Sequence, residues 1–302
     1  MPAAPSDALA RASALVELAP YVSPANADLA RRGLSDPDPI VRIGAIEMLS
    51  DVPPEQIWTM VAPLLSDPVR GVRVRAASLL AAVPTERQPQ ADRARFESAA
   101  AEFVAAQRLN DDRPEDRATL ANFYARRGRA ADAETEYKAA LRLSPQYTPA
   151  AINLADLYRA TGRDGEGIAL LRTELAAAPK DPGLHHALGL ALVREKKNDE
   201  ALAEFKNASE LAPGQSRYAY IYAVALHSAG RGDDAIKILT DNLAKNPSDR
   251  DTLVALVTFY RDAGNIPMAL DYAERLARVA PDDRNISGLV DSLKRQRDLI
   301  PR

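Results

Sequence analysis

The amino-acid sequence predicts an all-α fold in which short helical repeats stack on one another as a solenoid. Five prolines recur at a constant 34-residue interval in the second half of the chain, and four glycines fall on the same interval. A second pattern, with a 31-residue period, lies in the first part of the chain, before a predicted junction at Pro84–Pro89. A unit of this length cannot bury its own apolar face, so neighbouring copies must stack to form a core. The prolines are Pro145, Pro179, Pro213, Pro247 and Pro281.

The composition excludes several classes of function. The 302 residues are 46% hydrophobic and 27% charged, with a net charge of -3 and no cysteine. The absence of cysteine excludes disulfides, thiolate metal sites and covalently attached c-type haem. A nearly balanced charge argues against a nucleic-acid or anionic-membrane binder. No apolar run reaches the roughly 18–20 residues of a membrane helix. We therefore expect no cofactor, no bound metal, no nucleic acid and no membrane insertion.

The first residues, MPAAPSD, lack the basic and apolar regions of a signal peptide. We expect a cytoplasmic protein if Met1 is the native start.

Each 34-residue unit reads as two helices. In the first copy, Leu120 and Tyr124 lie one helical turn apart and Gly128 then ends the helix. A second helix is predicted over residues 130–143, where Ala133, Tyr137 and Ala140 share one face. The proline that follows begins the next turn, where its missing N–H costs little.

These units resemble tetratricopeptide repeats. The family's Leu-Gly pair falls at Leu188-Gly189, and its aromatic position falls at Tyr137 and Phe205. The resemblance covers five full copies over residues 114–283, preceded by a half-copy at 91–113 and followed by a polar capping helix at 284–298. It predicts a tetratricopeptide domain over 91–302. The five copies begin at Pro114, Thr148, Pro182, Ser216 and Arg250.

A separate domain is predicted over residues 1–90. Residues 34–49 and 65–80 match at eight of sixteen positions with an offset of 31, and a truncated copy surrounds Arg11. The Asp-to-Arg spacing of six positions, at Asp36 and Arg42 and again at Asp67 and Arg73, resembles HEAT repeats. The resemblance implies a ladder of ion pairs between adjacent copies. The alternative is that each Asp-Pro only begins a helix and each Arg is solvated.

The order of the two arrays is similar to that in the C-terminal region of bacterial multihaem c-type cytochromes that carry HEAT and tetratricopeptide repeats. No haem motif is present in this sequence. The resemblance implies a haem-free C-terminal part of such a protein, which would be periplasmic, or a stand-alone relative.

Catalytic motifs are absent from the sequence. The adjacent His185 and His186 point about 100° apart on a helix and cannot share a metal side by side, and His227 has no metal-binding pattern around it. We therefore predict a non-enzymatic scaffold. The alternatives are a structural spacer, a self-assembly module acting through the N-terminal end, and a hydrolase that uses His186 or His227 with a groove carboxylate.

The tetratricopeptide resemblance implies that the first helices line a concave groove, which we predict to bind a peptide or protein segment. Asn122 and Asn153 match the two asparagines of the carboxylate clamp of some relatives, but the clamp is absent because its cationic positions hold Ala118, Gly183 and Ala187. Large side chains in the middle of the groove are predicted to anchor the partner. Four arginines end successive first helices; they either form a ridge that binds acidic or carbonyl groups, or are there only because a positive charge stabilises a helix C-terminus. The groove residues are Asn122, Arg126, Asn153, Asp156, Arg159, His186, Leu190, Arg194, Arg217, Tyr220, Val224, His227, Thr258 and Arg261.

Overall fold

The computed structural model describes residues 5–23 and 26–299, and within them it is all helical, with seventeen α-helices and no strand. The predicted fold class, an all-α helical repeat, is confirmed. No helix in this part of the chain is both long and apolar enough to span a membrane.

The first five helices belong to the region of the 31-residue pattern, and the sixth covers most of the predicted half-copy of the 34-residue pattern. Three short 3-10 helices at Ala19–Tyr21, Ala62–Ser66 and Thr85–Arg87 lie between them. The six are α1 (Pro5–Glu17), α2 (Ala27–Leu34), α3 (Pro39–Met48), α4 (Pro54–Val61), α5 (Arg70–Leu80) and α6 (Gln90–Arg108).

The remaining helices follow the 34-residue pattern, and the first helix of each unit begins at the residue that the sequence comparison of the copies places first. They are α7 (Pro114–Arg126), α8 (Ala130–Leu143), α9 (Thr148–Ala160), α10 (Asp164–Ala177), α11 (Pro182–Arg194), α12 (Asn198–Leu211), α13 (Ser216–Ser228), α14 (Gly232–Lys245), α15 (Arg250–Asp262), α16 (Ile266–Val279) and α17 (Arg284–Asp298).

The chain divides by packing into two compact units, residues 1–157 (unit one) and 158–302 (unit two). The division falls inside α9. The predicted domain boundary after residue 90 is placed by the change of repeat period and not by packing, and it stays a prediction.

The glycines of the 34-residue pattern end the first helices. Gly128, Gly162, Gly230 and Gly264 all have φ between 70° and 77°, in the left-handed region. In each copy the next residue donates its N–H to a carbonyl five positions back, as Arg231 does to Leu226 at 2.9 Å. This bond closes the last helical turn. Glycine adopts the required φ without a Cβ clash.

The third copy makes the same turn without glycine. Lys196 has φ 60°, and Lys197 donates its N–H to the Leu192 carbonyl at 2.9 Å. A left-handed conformation costs an ordinary L-residue roughly 1–2 kcal/mol. The turn geometry is therefore imposed by the repeat and is retained despite the strain.

We expect Lys196→Gly to raise the free energy of unfolding by about 1 kcal/mol, because glycine relieves this strain. Urea denaturation followed by circular dichroism measures the change. The neighbouring Lys197 has an ordinary φ of -89°, so Lys197→Gly should give no gain. Equal effects of the two substitutions would contradict the assignment of strain to Lys196.

Ion pairs link successive copies of the 31-residue pattern within unit one. Arg42 Nε lies 2.8 Å from Asp67 Oδ2, and Arg42 Nη2 donates to Asp67 Oδ1 at 2.9 Å. Arg11 pairs in the same way with Asp36. These contacts are the ladder that the HEAT resemblance implies, although the family membership of this segment stays a resemblance.

The next step of the ladder differs in its partner. Arg73 binds the carboxylate of Glu102 on α6, at 2.9 Å from Nε and 2.8 Å from Nη2. Arg42 and Arg73 also donate to the backbone carbonyls of Asp36 and Asp67 respectively, each at 2.7 Å. Each Arg therefore ties the start of its own helix to the following copy.

Candidate functional site

The predicted groove residues of unit one lie on α7 and α9. Asn122 Oδ1 accepts hydrogen bonds from Tyr137 Oη at 2.5 Å and from Asn153 Nδ2 at 3.0 Å. Burial raises the pKa of Tyr137 to about 12, while the charge of Arg126 opposes this rise and that of Asp156 adds to it. The phenol therefore remains a donor near neutral pH. Because Asn122 Oδ1 already has two donors, its amide is held in one orientation and its Nδ2 is left for other acceptors.

A cleft of about 540 Å³ opens beside Asn122 and Arg126, bounded by α7 on one side and by α3, α5 and the segment between α3 and α4 on the other. Its buried side chains are apolar: Ile46, Ile57 and Phe123 line it and are each at most 2% exposed. Charged groups also line it, among them Glu47, Asp51 and Arg75. These three come from the region of the 31-residue pattern, so the sequence prediction of a groove built from first helices alone did not contain them.

Unit two contains an apolar groove of about 260 Å³ between α11, α12 and α13. Two predicted residues, Leu190 and Val224, line it together with Val193, Leu202 and Ile221. Leu190 is 36% exposed and Val193 is 44% exposed. Val193 lies one helical turn beyond Leu190, a spacing that the sequence shows and that would have identified it.

The other predicted mid-groove residues lie elsewhere. Tyr220 is half-buried and packs against the apolar core of unit two, and it does not line this groove. His186 is 8% exposed, with its ring 5.1 Å from the Tyr218 ring and 6.0 Å from the Phe205 ring. Neither ring nitrogen of His186 has a hydrogen-bond partner.

Burial, with a smaller contribution from the charge of Arg217, lowers the pKa of His186 from 6.5 to about 4. The unfolded chain therefore binds a proton at this residue more readily than the folded protein does. The free energy of unfolding should fall as the pH drops from about 6.5 to 4, by at most about 1.4 kcal/mol per pH unit from this group.

His186→Phe should flatten the pH dependence of stability in that window, because it keeps an aromatic ring beside Tyr218 and Phe205 and removes the titrating group. The measurement is a series of urea denaturations between pH 4 and 7 for both proteins. Parallel curves for the two would contradict a buried neutral His186.

The predicted arginines of unit two are largely exposed. Arg194 Nε donates to Asp164 Oδ1 at 3.1 Å, which links two successive copies. Arg261 lies 4.0 Å from the adjacent Asp262. Arg159 and Arg217 are exposed on α9 and α13. Arg194 therefore has a structural partner in the preceding copy.

The remaining predicted residues lie on α13 and α15. The ring of His227 stacks on the Phe259 ring with centroids 3.9 Å apart, and its Nε2 is 3.8 Å from Asp262 Oδ2. The neighbouring Ser228 hydroxyl donates to the Val224 carbonyl at 2.9 Å, and the Thr258 hydroxyl donates to the Val254 carbonyl at 3.0 Å. Both hydroxyls are therefore engaged with backbone carbonyls and not with His227.

His185 has a structural role. Its Nδ1 lies 2.5 Å from Glu204 Oε2 and its Nε2 lies 3.1 Å from the Pro179 carbonyl. Both neighbours are hydrogen-bond acceptors, and they hold the ring between Glu204 of α12 and the segment that precedes α11. Within the described ranges no three His, Asp or Glu side chains gather in a way that could hold a metal ion.

The repeats, their glycine-ended first helices and the exposed apolar groove define a helical-repeat protein of the kind that presents a surface to other molecules. Residues 87–248 match the tetratricopeptide repeat family model, and this stretch is more than half of the chain. The chain therefore belongs to the tetratricopeptide repeat family. Proteins of this family are generally protein-interaction scaffolds and are typically non-catalytic.

Individual relatives are distant. Over 119 residues the chain is 25% identical to the interferon-induced protein with tetratricopeptide repeats 3 of Mus musculus, which is 38% of this chain and 30% of that protein. The chain thus matches less than a third of the length of this curated relative.

The chain is also similar to solved structures. A tetratricopeptide protein named YrrB, described as having an unusual peptide-binding site, is 19% identical with a TM-score of 0.46 over 63% of this chain and 97% of that one. The Cut9-Hcn1 assembly of APC/C is 16% identical with a TM-score of 0.49 over 88% of this chain and 51% of the matched chain.

Proposed function

We propose that the protein is a non-catalytic scaffold that binds a segment of another protein on the exposed faces of its first helices, with an apolar side chain of that segment in the groove between α11, α12 and α13. The observation that carries the proposal is the exposure of Leu190 and Val193 at this groove, which leaves apolar surface open to a partner. Interfaces gain most of their affinity from a few buried apolar or aromatic anchors.

Family membership supports the general part of this proposal, since its members generally act by binding proteins. The groove supports the assignment of the partner's apolar side chain to α11, α12 and α13, because Leu190 and Val224, two of the predicted groove residues, both line it. The charged residues around it then act on the association rate and on selectivity more than on affinity.

The test uses peptides selected on the purified protein from a random display library, followed by measurement of their affinity for variants. Val193→Ser should weaken the selected peptides at least tenfold, because a buried apolar anchor typically contributes about 2 kcal/mol or more, which is about thirtyfold. Val279→Ser is the matched control, since Val279 is also exposed, at 39%, but lies on the second helix α16. A larger loss in Val279→Ser than in Val193→Ser would show that the partner binds elsewhere.

Self-association is a second candidate role, favoured by exposed apolar side chains on α1. Leu9 is 59% exposed and Val16 is 43% exposed. Sedimentation velocity over a range of concentrations tests it, with Leu9→Ser as the variant expected to reduce the association.

The relation to multihaem cytochromes rests on the order of the two repeat types and on sequence resemblance. The test is to read the gene upstream of this segment for Cys-x-x-Cys-His motifs. A start codon at Met1 with no such motifs before it would contradict the C-terminal part of a cytochrome and leave the stand-alone relative.

A further inference from the structure

The cleft of unit one has the size and the mixed lining of a ligand site. Its volume of about 540 Å³ lies within the range of roughly 300–1,000 Å³ typical of pockets that hold drug-sized molecules. The buried Ile46, Ile57 and Phe123 give it an apolar interior. A ligand that fills this interior needs an apolar body larger than a single small group.

On one side of the cleft, α7 presents hydrogen-bond donors. Asn122 Oδ1 is taken by Tyr137 and Asn153, so the free capacity of this amide is its Nδ2. Arg126 follows four positions later on the same helix face, where side chains are neighbours. Its guanidinium is exposed and forms no ion pair with any residue that the structure describes. Two adjacent groups that only donate are suited to a carboxylate.

The opposite side of the cleft carries one unbalanced negative charge. Arg75 and Glu47 form an ion pair with each other and so neutralise one another. Asp51 is exposed and, among the described residues, has no cationic partner. A simple anion would be repelled by this carboxylate, whereas a ligand that also carries an ammonium group would be attracted to it.

We propose that the cleft binds a short apolar peptide with free ends, whose carboxylate contacts Asn122 and Arg126 and whose ammonium group contacts Asp51. The apolar side chains of the peptide lie on Ile57 and Phe123. The ligand chemistry follows from the balance of the lining: one unpaired cation, one unpaired anion and buried apolar side chains line the same cleft.

This site is separate from the groove of the proposed function, which is built only from residues of unit two. It shares Asn122 with the carboxylate clamp of some relatives, and it differs from that clamp in its cation and in its other wall. The clamp's cationic position on α7 is Ala118 here, the cation is Arg126, and the other wall comes from the region of the 31-residue pattern. A negative binding result at one site therefore does not contradict the proposal for the other site.

The test is isothermal titration calorimetry with the dipeptide Leu-Leu, its N-acetylated form, its C-terminal amide and the form blocked at both ends. Free leucine, the same zwitterion with a smaller apolar body, is the fifth ligand. The protein variants are Asp51→Asn and Arg126→Gln. Asp112→Asn and Arg108→Gln are matched controls, because both residues are exposed and neither lines the cleft.

We expect Leu-Leu to bind the parent protein, each single block to weaken it about tenfold or more, and free leucine to bind more weakly than Leu-Leu. Asp51→Asn should bind the acetylated and free peptides equally, and Arg126→Gln should bind the amide and the free peptide equally, because each variant has lost the partner of the blocked group. The control variants should bind like the parent.

Three results would overturn the proposal. The first is no saturable binding of Leu-Leu by the parent protein. The second is equal binding of the doubly blocked and free peptides, which would favour an internal segment of a protein chain. The third is equal binding of leucine and Leu-Leu, which would remove the peptide as the ligand.

Discussion

Asp67→Ala should lower the free energy of unfolding of unit one by about 3–5 kcal/mol, because it leaves the guanidinium of Arg42 buried without its anion. Arg42 is 8% exposed and Asp67 is 7% exposed, and two atoms of each side chain are in contact. Asp67 Oδ1 also accepts the Val69 N–H at 2.8 Å near the start of α5, so that bond is lost as well. The fluorescence of Trp58, the single tryptophan of the sequence, follows the unfolding of unit one in urea.

Asp28→Ala is the matched control for this prediction. Asp28 pairs with Arg31 at 2.6 Å, but the two side chains are 75% and 62% exposed. Exposed pairs of this kind contribute at most about 1 kcal/mol. Replacing both members of the buried pair, as Arg42→Met with Asp67→Leu, should restore much of the stability lost in Asp67→Ala. Equal losses from Asp67→Ala and Asp28→Ala would contradict the importance of burial in the ladder.

Gly189→Ala should destabilise unit two by about 3 kcal/mol through overpacking. A Cβ at this position would lie 2.5 Å from Cε1 and 2.6 Å from Cδ1 of the Phe205 ring. Phe205 is 2% exposed and the ring of His186 lies beside it, so its ring can move away from Gly189 only towards the groove between α11, α12 and α13. Urea denaturation followed by circular dichroism measures the loss.

Gly71→Ala is the control, because a Cβ there would meet only Ile43 Cδ1, at an ordinary 3.8 Å. This substitution should leave stability unchanged or raise it by up to about 1 kcal/mol, as alanine is the better helix former. In the background of Phe205→Leu, the cost of Gly189→Ala should shrink, since the smaller side chain makes room. A Gly189→Ala protein as stable as the parent would show that α11 and α12 approach less closely than the structure has them.

The sequence was sufficient for the features that recur with the repeat. The helix-ending glycines and the starts of the first helices α7, α9, α11, α13 and α15 lie at positions marked by the 34-residue interval, and the tetratricopeptide resemblance marks Gly189 and Phe205. The ion pair of Arg42 with Asp67 is the contact between adjacent copies that the HEAT resemblance implies. Periodic features are predictable because each copy repeats the same local packing problem.

Features at the change of period could not be predicted in this way. One further 31-residue step from Asp67 leads to Ser98, yet the partner of Arg73 is Glu102, because α6 already follows the longer repeat. The cleft of unit one has the same cause, since α7 belongs to one pattern and α3 and α5 to the other. A comparison of copies cannot identify contacts that occur once.

The burial of individual groove residues was also beyond the sequence. Position in the repeat places His186 and Leu190 on the same helix face, yet one is buried and the other 36% exposed. The difference depends on neighbours, since the rings of Phe205 and Tyr218 lie beside His186. The sequence thus predicts the face of a helix but not how far an adjacent helix covers it.

The most direct test of the proposed scaffold is photo-cross-linking of a selected peptide to benzoylphenylalanine placed at residue 193 or at residue 279. Both positions are exposed valines, on α11 and α16 respectively. We expect an adduct from position 193 and none from position 279, because the partner segment lies on the first helices. An adduct from position 279 with none from position 193 would contradict the binding site that we propose.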